Sequence, residues 1–126
     1  MTATLAAIAV GAVLGAWARY GLSVAMNDRS WLPWGTFAAN AIGGLLIGFA
    51  IAHFSERTGI SPLWRLFFVT GFLGALTTFS AFSGEVTTLL LDGQLLRGIS
   101  LAALHLVASL VLTAIGIWLY RSAVSV

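Results

Sequence analysis

The chain has 126 residues, of which 60% are hydrophobic and only 8% are charged. In soluble domains about a quarter of the residues are charged. The four acids and six bases of this chain are therefore too few to cover the surface of a soluble domain, and they indicate insertion into a bilayer. Cysteine is absent, which excludes disulfides, thiolate metal sites and cysteine nucleophiles.

Four long apolar stretches meet the length of about 20 residues that a helix needs to cross the hydrocarbon core. They predict an all-α membrane protein with spans over roughly 4–26, 35–54, 63–91 and 95–120. The first stretch lacks the basic leader and small-residue exit of a secretory signal, so it is interpreted as a span. The connections are short, with polar centres at 27–29, 55–59 and 92–94. We therefore predict a single transmembrane domain covering 1–126.

Glycines four residues apart occur in the first span, at Gly11 and Gly15, and in the second, at Gly44 and Gly48. This spacing lets helix backbones approach closely in membranes. The two motifs predict tight helix contacts.

The positive charges give no preferred orientation. The chain has no lysine, and its arginines divide almost evenly. Arg57, Arg65 and Arg121 are on one side, and the other side has two, Arg29 and Arg97, or three if Arg19 is counted there. A chain without bias can insert either way, which permits an antiparallel homodimer. Four thin helices are also too few to enclose a polar pathway alone, and both arguments favour a dimer.

The middle of the third span has an unusual composition for a lipid-facing helix. Residues 70–85 contain three glycines, five hydroxyl residues and one acid. Such a segment leaves backbone groups needing partners at membrane depth, so we predict a helix break near Gly74 to Thr78. Carbonyls exposed at a break can coordinate a hard cation such as Na⁺. The alternative is a kinked helix whose hydroxyls bond to its own carbonyls.

Phe79 and Phe82 lie three residues apart and share a helix face, with Ser80 and Ser83 beside them. Such a pair is usually packing, but the positive edge of a phenyl ring can also approach a small anion. Asn40, in the middle of the second span, has an amide that supplies two donors for a dehydrated anion. Its alternative role is to hydrogen-bond one helix to another.

Glu85 and His105 are ionisable groups well inside predicted spans, where acids and histidines commonly mark proton-coupled transport. The simpler interpretation of His105 is a neutral ring bonded to a hydroxyl such as that of Ser109. Arg19, near the end of the first span, either extends its side chain to the interface or gives a vestibule positive potential.

The chain resembles the Fluc (CrcB) family of fluoride channels along essentially its whole length. Three segments carry the resemblance: Gly-Ala-Trp-Ala-Arg at 15–19, Pro-Trp-Gly-Thr at 33–36 leading to Asn40 and Gly43, and residues 71–85. Thr-Thr-Phe-Ser-Ala-Phe-Ser at 77–83 is similar to the family's Thr-Thr-Phe-Ser-Thr-Phe-Ser. Ala81 stands where a threonine is usual, which removes one hydroxyl beside the phenylalanines, and Ala75 stands where glycine is common.

The resemblance implies a dual-topology homodimer in the bacterial inner membrane, with two antiparallel fluoride pores and one structural Na⁺ that is not transported. Main-chain carbonyls of Gly74 and Thr77 would hold the Na⁺. Phe79 and Phe82 would line the pores by their edges, with Asn40 as donor. Further polar neighbours would be Thr36, Ser80, Ser83, Glu85, His105 and Ser109, with Arg19 toward a vestibule.

Other classes of function have weaker sequence support. A small dual-topology proton-coupled multidrug exporter would need a carboxylate in the first span, and that span has none. An accessory membrane subunit without transport of its own is a third hypothesis. Nucleotide-binding, zinc-protease and nucleophile-elbow motifs are absent, so an enzyme is not predicted. The few scattered arginines do not form a nucleic-acid surface.

Overall fold

The computed structural model describes residues 1–27 and 30–124. Within these two ranges all regular structure is helical, and no strand occurs. Asp28 and Arg29, which belong to the first predicted connection and to the arginine count, lie outside the described residues.

The first two spans are the uninterrupted helices α1 (Thr2–Met26) and α2 (Trp34–Glu56). The third span has four parts: α3 (Pro62–Arg65), a π-helix named π1 (Leu66–Leu73), α4 (Gly74–Leu76) and α5 (Phe79–Leu91). The fourth span is α6 (Leu95–Val124). Among the residues that the structure describes, four helical stretches are thus long and apolar enough to cross a membrane, and each predicted span lies within the corresponding stretch.

Tight turns connect the later spans. Gly59, before α3, and Gly93, before α6, adopt positive φ angles of 87° and 75°. Side chains with a Cβ rarely adopt such angles, so glycine permits these short reversals.

The first span runs parallel to the first half of the third. Gly11 contacts the backbone at Phe67, and Gly15, one turn later, contacts the backbone at Phe72 and Leu76. A Cβ at either glycine would overlap a main-chain carbonyl oxygen, so only glycine permits this approach of the two helices.

The second span runs parallel to the fourth through a similar contact. Gly44 lies against the backbone of Ser109, and Gly48 lies against the carbonyl oxygen of Thr113. The Thr113 hydroxyl donates to the Gly44 carbonyl at 3.0 Å. Both glycine pairs therefore lie in helix contacts, as their spacing predicted.

Much of the molecule's apolar surface is on the outside. The buried core cluster is small and consists of Ala39, Ala50, Leu73 and Leu76. Large side chains such as Leu91, which is 82% exposed, cover the exterior. Contiguous apolar surface of this kind requires lipid or another protein around it, as expected for a bundle of membrane spans.

Candidate functional site

The site begins where the third span leaves the helical conformation. α4 ends at Leu76, and Thr77 and Thr78 are extended, with φ/ψ angles of −82°/153° and −148°/114°. α5 then starts at Phe79, where the Thr78 hydroxyl accepts a hydrogen bond from the Ala81 amide at 3.1 Å. This is the arrangement of a threonine N-cap.

Asn40 pairs with the backbone of Thr78 in both directions. Its Oδ1 accepts from the Thr78 N–H at 2.7 Å, and its Nδ2 donates to the Thr78 carbonyl at 3.1 Å. Nδ2 also lies 3.3 Å from Nδ1 of His105. The orientation of the amide is determined by Thr78, because its N–H needs an acceptor and its carbonyl needs a donor.

Four aromatic rings continue from this point toward α2. Phe79 lies 5.5 Å from Phe82 between centroids, and Phe82 stacks on His105 at 4.8 Å with an interplanar angle of 26°. Phe37 also contacts the His105 ring, edge-on, with the two ring centroids 5.3 Å apart. His105 is buried between these rings, and its Nε2 has no hydrogen-bond partner among the described residues.

Glu85 is joined to α2 by a short hydrogen bond. The hydroxyl of Thr36, which is buried, donates to Glu85 Oε1 at 2.6 Å. The second oxygen, Oε2, is buried and lacks a partner within the described part of the chain. The carboxyl group is therefore half-satisfied, with one oxygen oriented by the second span.

Arg19 reaches the end of α4 instead of pointing away from the bundle. Its Nε donates to the carbonyl of Ala75 at 3.0 Å. This contact connects the first span to the last turn before the extended residues. Neither the interface-directed nor the vestibule interpretation included it.

The remaining predicted residues have different surroundings. The Ser80 hydroxyl lies 3.2 Å from the Thr78 hydroxyl and is exposed, while Ser83 is half-buried on α5. Ser109 presents its backbone to Gly44, and its carbonyl accepts from Thr113 at 2.8 Å. The nitrogen of His105 that has a near neighbour faces Asn40, not Ser109.

A groove of about 780 Å³ brings most of these groups together. Its walls come from α2, the third span and α6. Seven of the predicted site residues line it: Asn40, Gly74, Thr77, Phe79, Phe82, His105 and Ser109. Arg19, Thr36, Ser80, Ser83 and Glu85 are not among its lining residues.

Sequence reasoning missed two participants. Thr78, within the quoted motif, presents its backbone to Asn40, and Phe37 supports the ring of His105. Phe37 is three residues before Asn40 and therefore shares its helix face, a signal that could have found it. The Thr78 pairing joins residues 38 positions apart and has no local signal.

The fold and the site define a multi-pass membrane protein with a polar and aromatic groove beside the extended residues Thr77 and Thr78. A family model described as CrcB-like protein, Camphor Resistance (CrcB), matches residues 6–117. The chain belongs to this family, the one that its sequence motifs resemble.

Relatives in several bacteria are similar over nearly their whole length. The chain is 49% identical over 117 residues to a "Fluoride-specific ion channel FluC" of Ralstonia pickettii, covering 92% of this chain and 93% of the relative. It is 50% identical over 116 residues to the protein of that name in Cupriavidus taiwanensis, covering 91% and 92%. A third, in Pseudomonas putida, is 48% identical over 118 residues, covering 93% of each. These relatives are channels by name, which agrees with the prediction that the chain is not an enzyme.

Proposed function

We propose that the chain is a fluoride channel that exports cytoplasmic fluoride passively through a bacterial cytoplasmic membrane. The observation that carries the proposal is the groove in which Asn40, Phe79, Phe82 and His105 meet beside the extended Thr77–Thr78 segment. It is supported by the fluoride-specific channels to which the chain is about half identical.

Fluoride would move along the edges of the phenylalanine rings. The ring edge carries the positive part of the quadrupole, so it attracts a small anion weakly enough to release it. Hydroxyls of Ser80 and Ser83 and the Asn40 amide would replace water around the ion, and Thr36, which donates its hydroxyl hydrogen to Glu85, would be a polar neighbour of the pore. Glu85, His105 and Ser109 would form the polar continuation of this path, and the permanent charge of Arg19 would raise the potential at its mouth.

Carbonyl groups without helical donors at the extended segment support a structural Na⁺ site there. In an uninterrupted helix the Gly74 carbonyl would accept from the Thr78 N–H, but that N–H is donated to Asn40. The Thr77 carbonyl would likewise accept from the Ala81 N–H, which is donated to the Thr78 hydroxyl. The carbonyls of Gly74 and Thr77 thus lose their regular helical donors, and oxygen ligands suit Na⁺. We therefore propose this segment as a functional break that holds a bound, non-transported Na⁺.

An antiparallel homodimer would complete both the pore and the cation site. Phe79, a proposed pore residue, is 79% exposed in the single chain, and Gly74, which lines the groove, is exposed as well. A second copy would cover these groups, and lipid would cover the remaining apolar exterior. The near balance of the arginines supports opposite insertion of the two copies.

The membrane potential would supply the driving force. It contributes about 2.3 kcal/mol per elementary charge per 100 mV, so an inside-negative membrane drives an anion outward. Neutral HF that enters the cell from acidic surroundings dissociates in the near-neutral cytoplasm. The fluoride released there would leave by this route without ATP.

The proton-coupled multidrug exporter has no support from the comparisons. Its expected carboxylate is missing from α1, which contains neither Asp nor Glu. Glu85, on α5, is hydrogen-bonded to Thr36. The relatives' names concern fluoride.

Expression in a bacterium that lacks its own fluoride exporters tests the proposal in cells. The chain should restore growth in fluoride-containing medium, and a variant with isoleucine at both Phe79 and Phe82 should not, although it reaches the membrane in equal amount. Failure of the unaltered chain to restore growth, when the protein is present in the membrane, would contradict a fluoride exporter.

A further inference from the structure

Asn40 was considered above as a donor to fluoride, yet its amide is engaged with the third span. The Asn40 oxygen accepts from Thr78, and one amide hydrogen returns to the Thr78 carbonyl. The second amide hydrogen faces His105 Nδ1 at 3.3 Å, which is the longest of the three contacts. An amide nitrogen has two hydrogens to donate, so both are directed to protein groups.

The contact to Thr78 replaces a helical hydrogen bond. Without Asn40, the Thr78 N–H could return to its helical acceptor, the carbonyl of Gly74. At membrane depth an unpaired N–H is costly, so an N–H that has lost Asn40 would be drawn to that carbonyl. The Thr78 cap that frees the carbonyl of Thr77 depends on the same extended conformation, since an N-cap residue has non-helical dihedral angles.

We infer that Asn40 is a positioning residue for the cation site, because its amide holds Thr78 extended and thereby keeps the carbonyls of Gly74 and Thr77 available. The inference rests on the proposed function, since it assigns a purpose to the proposed Na⁺ ligands. The same side chain also connects the proposed cation site with the proposed fluoride pore. Fluoride could accept a hydrogen bond from the amide hydrogen that faces His105. The two contacts with Thr78 would meanwhile keep the segment extended.

Thr113 offers a matched control for this role. Like Asn40, it has a half-buried side chain that reaches a backbone carbonyl of a neighbouring span. Its one hydroxyl hydrogen is shared between the Gly44 carbonyl at 3.0 Å and the Ser109 carbonyl of its own helix at 2.8 Å. It belongs to the contact between α2 and α6 and makes no hydrogen bond to the extended segment. Replacing it removes an interhelical bond without releasing the Thr78 N–H.

The experiment measures the thermal stability of the purified full-length protein over a wide range of Na⁺ concentrations, with a large organic cation keeping ionic strength constant. The apparent Na⁺ dissociation constant, called here the Na⁺ midpoint, is fitted from the rise of stability with Na⁺ concentration. Ligand binding to the folded state produces such a dependence. Asn40→Ala should raise this midpoint about tenfold or more. Thr113→Val should lower the overall stability but leave the Na⁺ midpoint within about twofold of the unaltered protein.

A second variant keeps the test decisive if Asn40→Ala does not assemble. Asn40→Asp keeps an oxygen that accepts from the Thr78 N–H and, in its protonated form, an O–H that donates to the Thr78 carbonyl. At a pH that keeps this carboxyl protonated, the variant should assemble with a Na⁺ midpoint close to that of the unaltered protein. The inference is overturned if Asn40→Ala assembles with an unchanged midpoint, or if Asn40→Asp fails to assemble. Absence of any Na⁺ dependence in the unaltered protein would instead refute the proposed Na⁺ site itself.

Discussion

Phe79 and Phe82 lie three residues apart on one helix face, but their surroundings differ. Phe79 is 79% exposed, whereas Phe82 is half-buried and stacks on His105. Loss of packing should therefore matter more at Phe82, and loss of the ring edge should matter at both. This difference allows the ring-edge role to be separated from a role in the core.

Phe79→Ile and Phe82→Ile should each lower fluoride efflux about tenfold or more, which corresponds to about 1.4 kcal/mol or more in activation free energy. Isoleucine keeps apolar bulk but has no positive ring edge. Efflux from liposomes and gel filtration should be measured for both variants, and each should still elute as an assembled protein. Normal efflux in both would refute the ring-edge role. A flux loss matched by loss of assembly would indicate packing, whose disruption costs about 1–3 kcal/mol.

At the scale of the element, the extended segment is supported by a close contact with α2. A Cβ added at Gly43 would overlap Cγ2 of Thr77, while the next nearest atom, Thr77 Cβ, would lie 3.6 Å away. The conflict thus involves a single methyl group. Serine has no such methyl group but retains the hydroxyl that donates to the Leu73 carbonyl at 2.8 Å.

Gly43→Ala should therefore destabilise the protein by about 1–3 kcal/mol, and Thr77→Ser in the same chain should recover most of that loss. Thr77→Ser alone should be mild, because the proposed Na⁺ ligand is a backbone oxygen, whereas a bulky side chain at Gly74 should disrupt the site. Unfolding in detergent checks all three Gly43 and Thr77 variants. Strictly additive effects would contradict the contact, since residues that touch show coupling of about 0.5–3 kcal/mol.

Sequence reasoning located the spans because their apolar length is a local property. It drew attention to 70–85 because glycines, hydroxyls and an acid are unusual at membrane depth. The π-helix over Leu66–Leu73 was not predicted, because a change in hydrogen-bond register leaves no mark on the composition. The bond from Arg19 to Ala75 was also not predicted, because it joins residues 56 positions apart.

At the scale of the whole molecule, both proposed sites lie open on the surface of one chain. The groove residues Gly74 and Phe79 are exposed, and the groove is bounded by three of the four spans. A partner in the opposite orientation would bring two equivalent grooves together around one axis. Completion of the proposed sites would therefore come from assembly of two copies and not from the fold of one.

The absence of cysteine makes topology directly measurable. Thr2→Cys should be labelled by a membrane-impermeant thiol reagent on one protomer of each dimer in sealed vesicles and protected on the other, as opposite insertion requires. Short reagents should not join the two position-2 cysteines of one dimer. Complete labelling or complete protection, or ready crosslinking between these cysteines, would contradict the antiparallel arrangement.

Fluoride conduction by the protein alone is the central claim, and efflux from liposomes that contain only this purified chain tests it most directly. With a K⁺ gradient and a K⁺ carrier setting an inside-negative potential, fluoride should leave the liposomes without ATP and without a proton gradient. The rate should be insensitive to an imposed proton gradient of either sign. No fluoride efflux from correctly assembled protein would contradict a channel, as would transport that occurs only with a proton gradient.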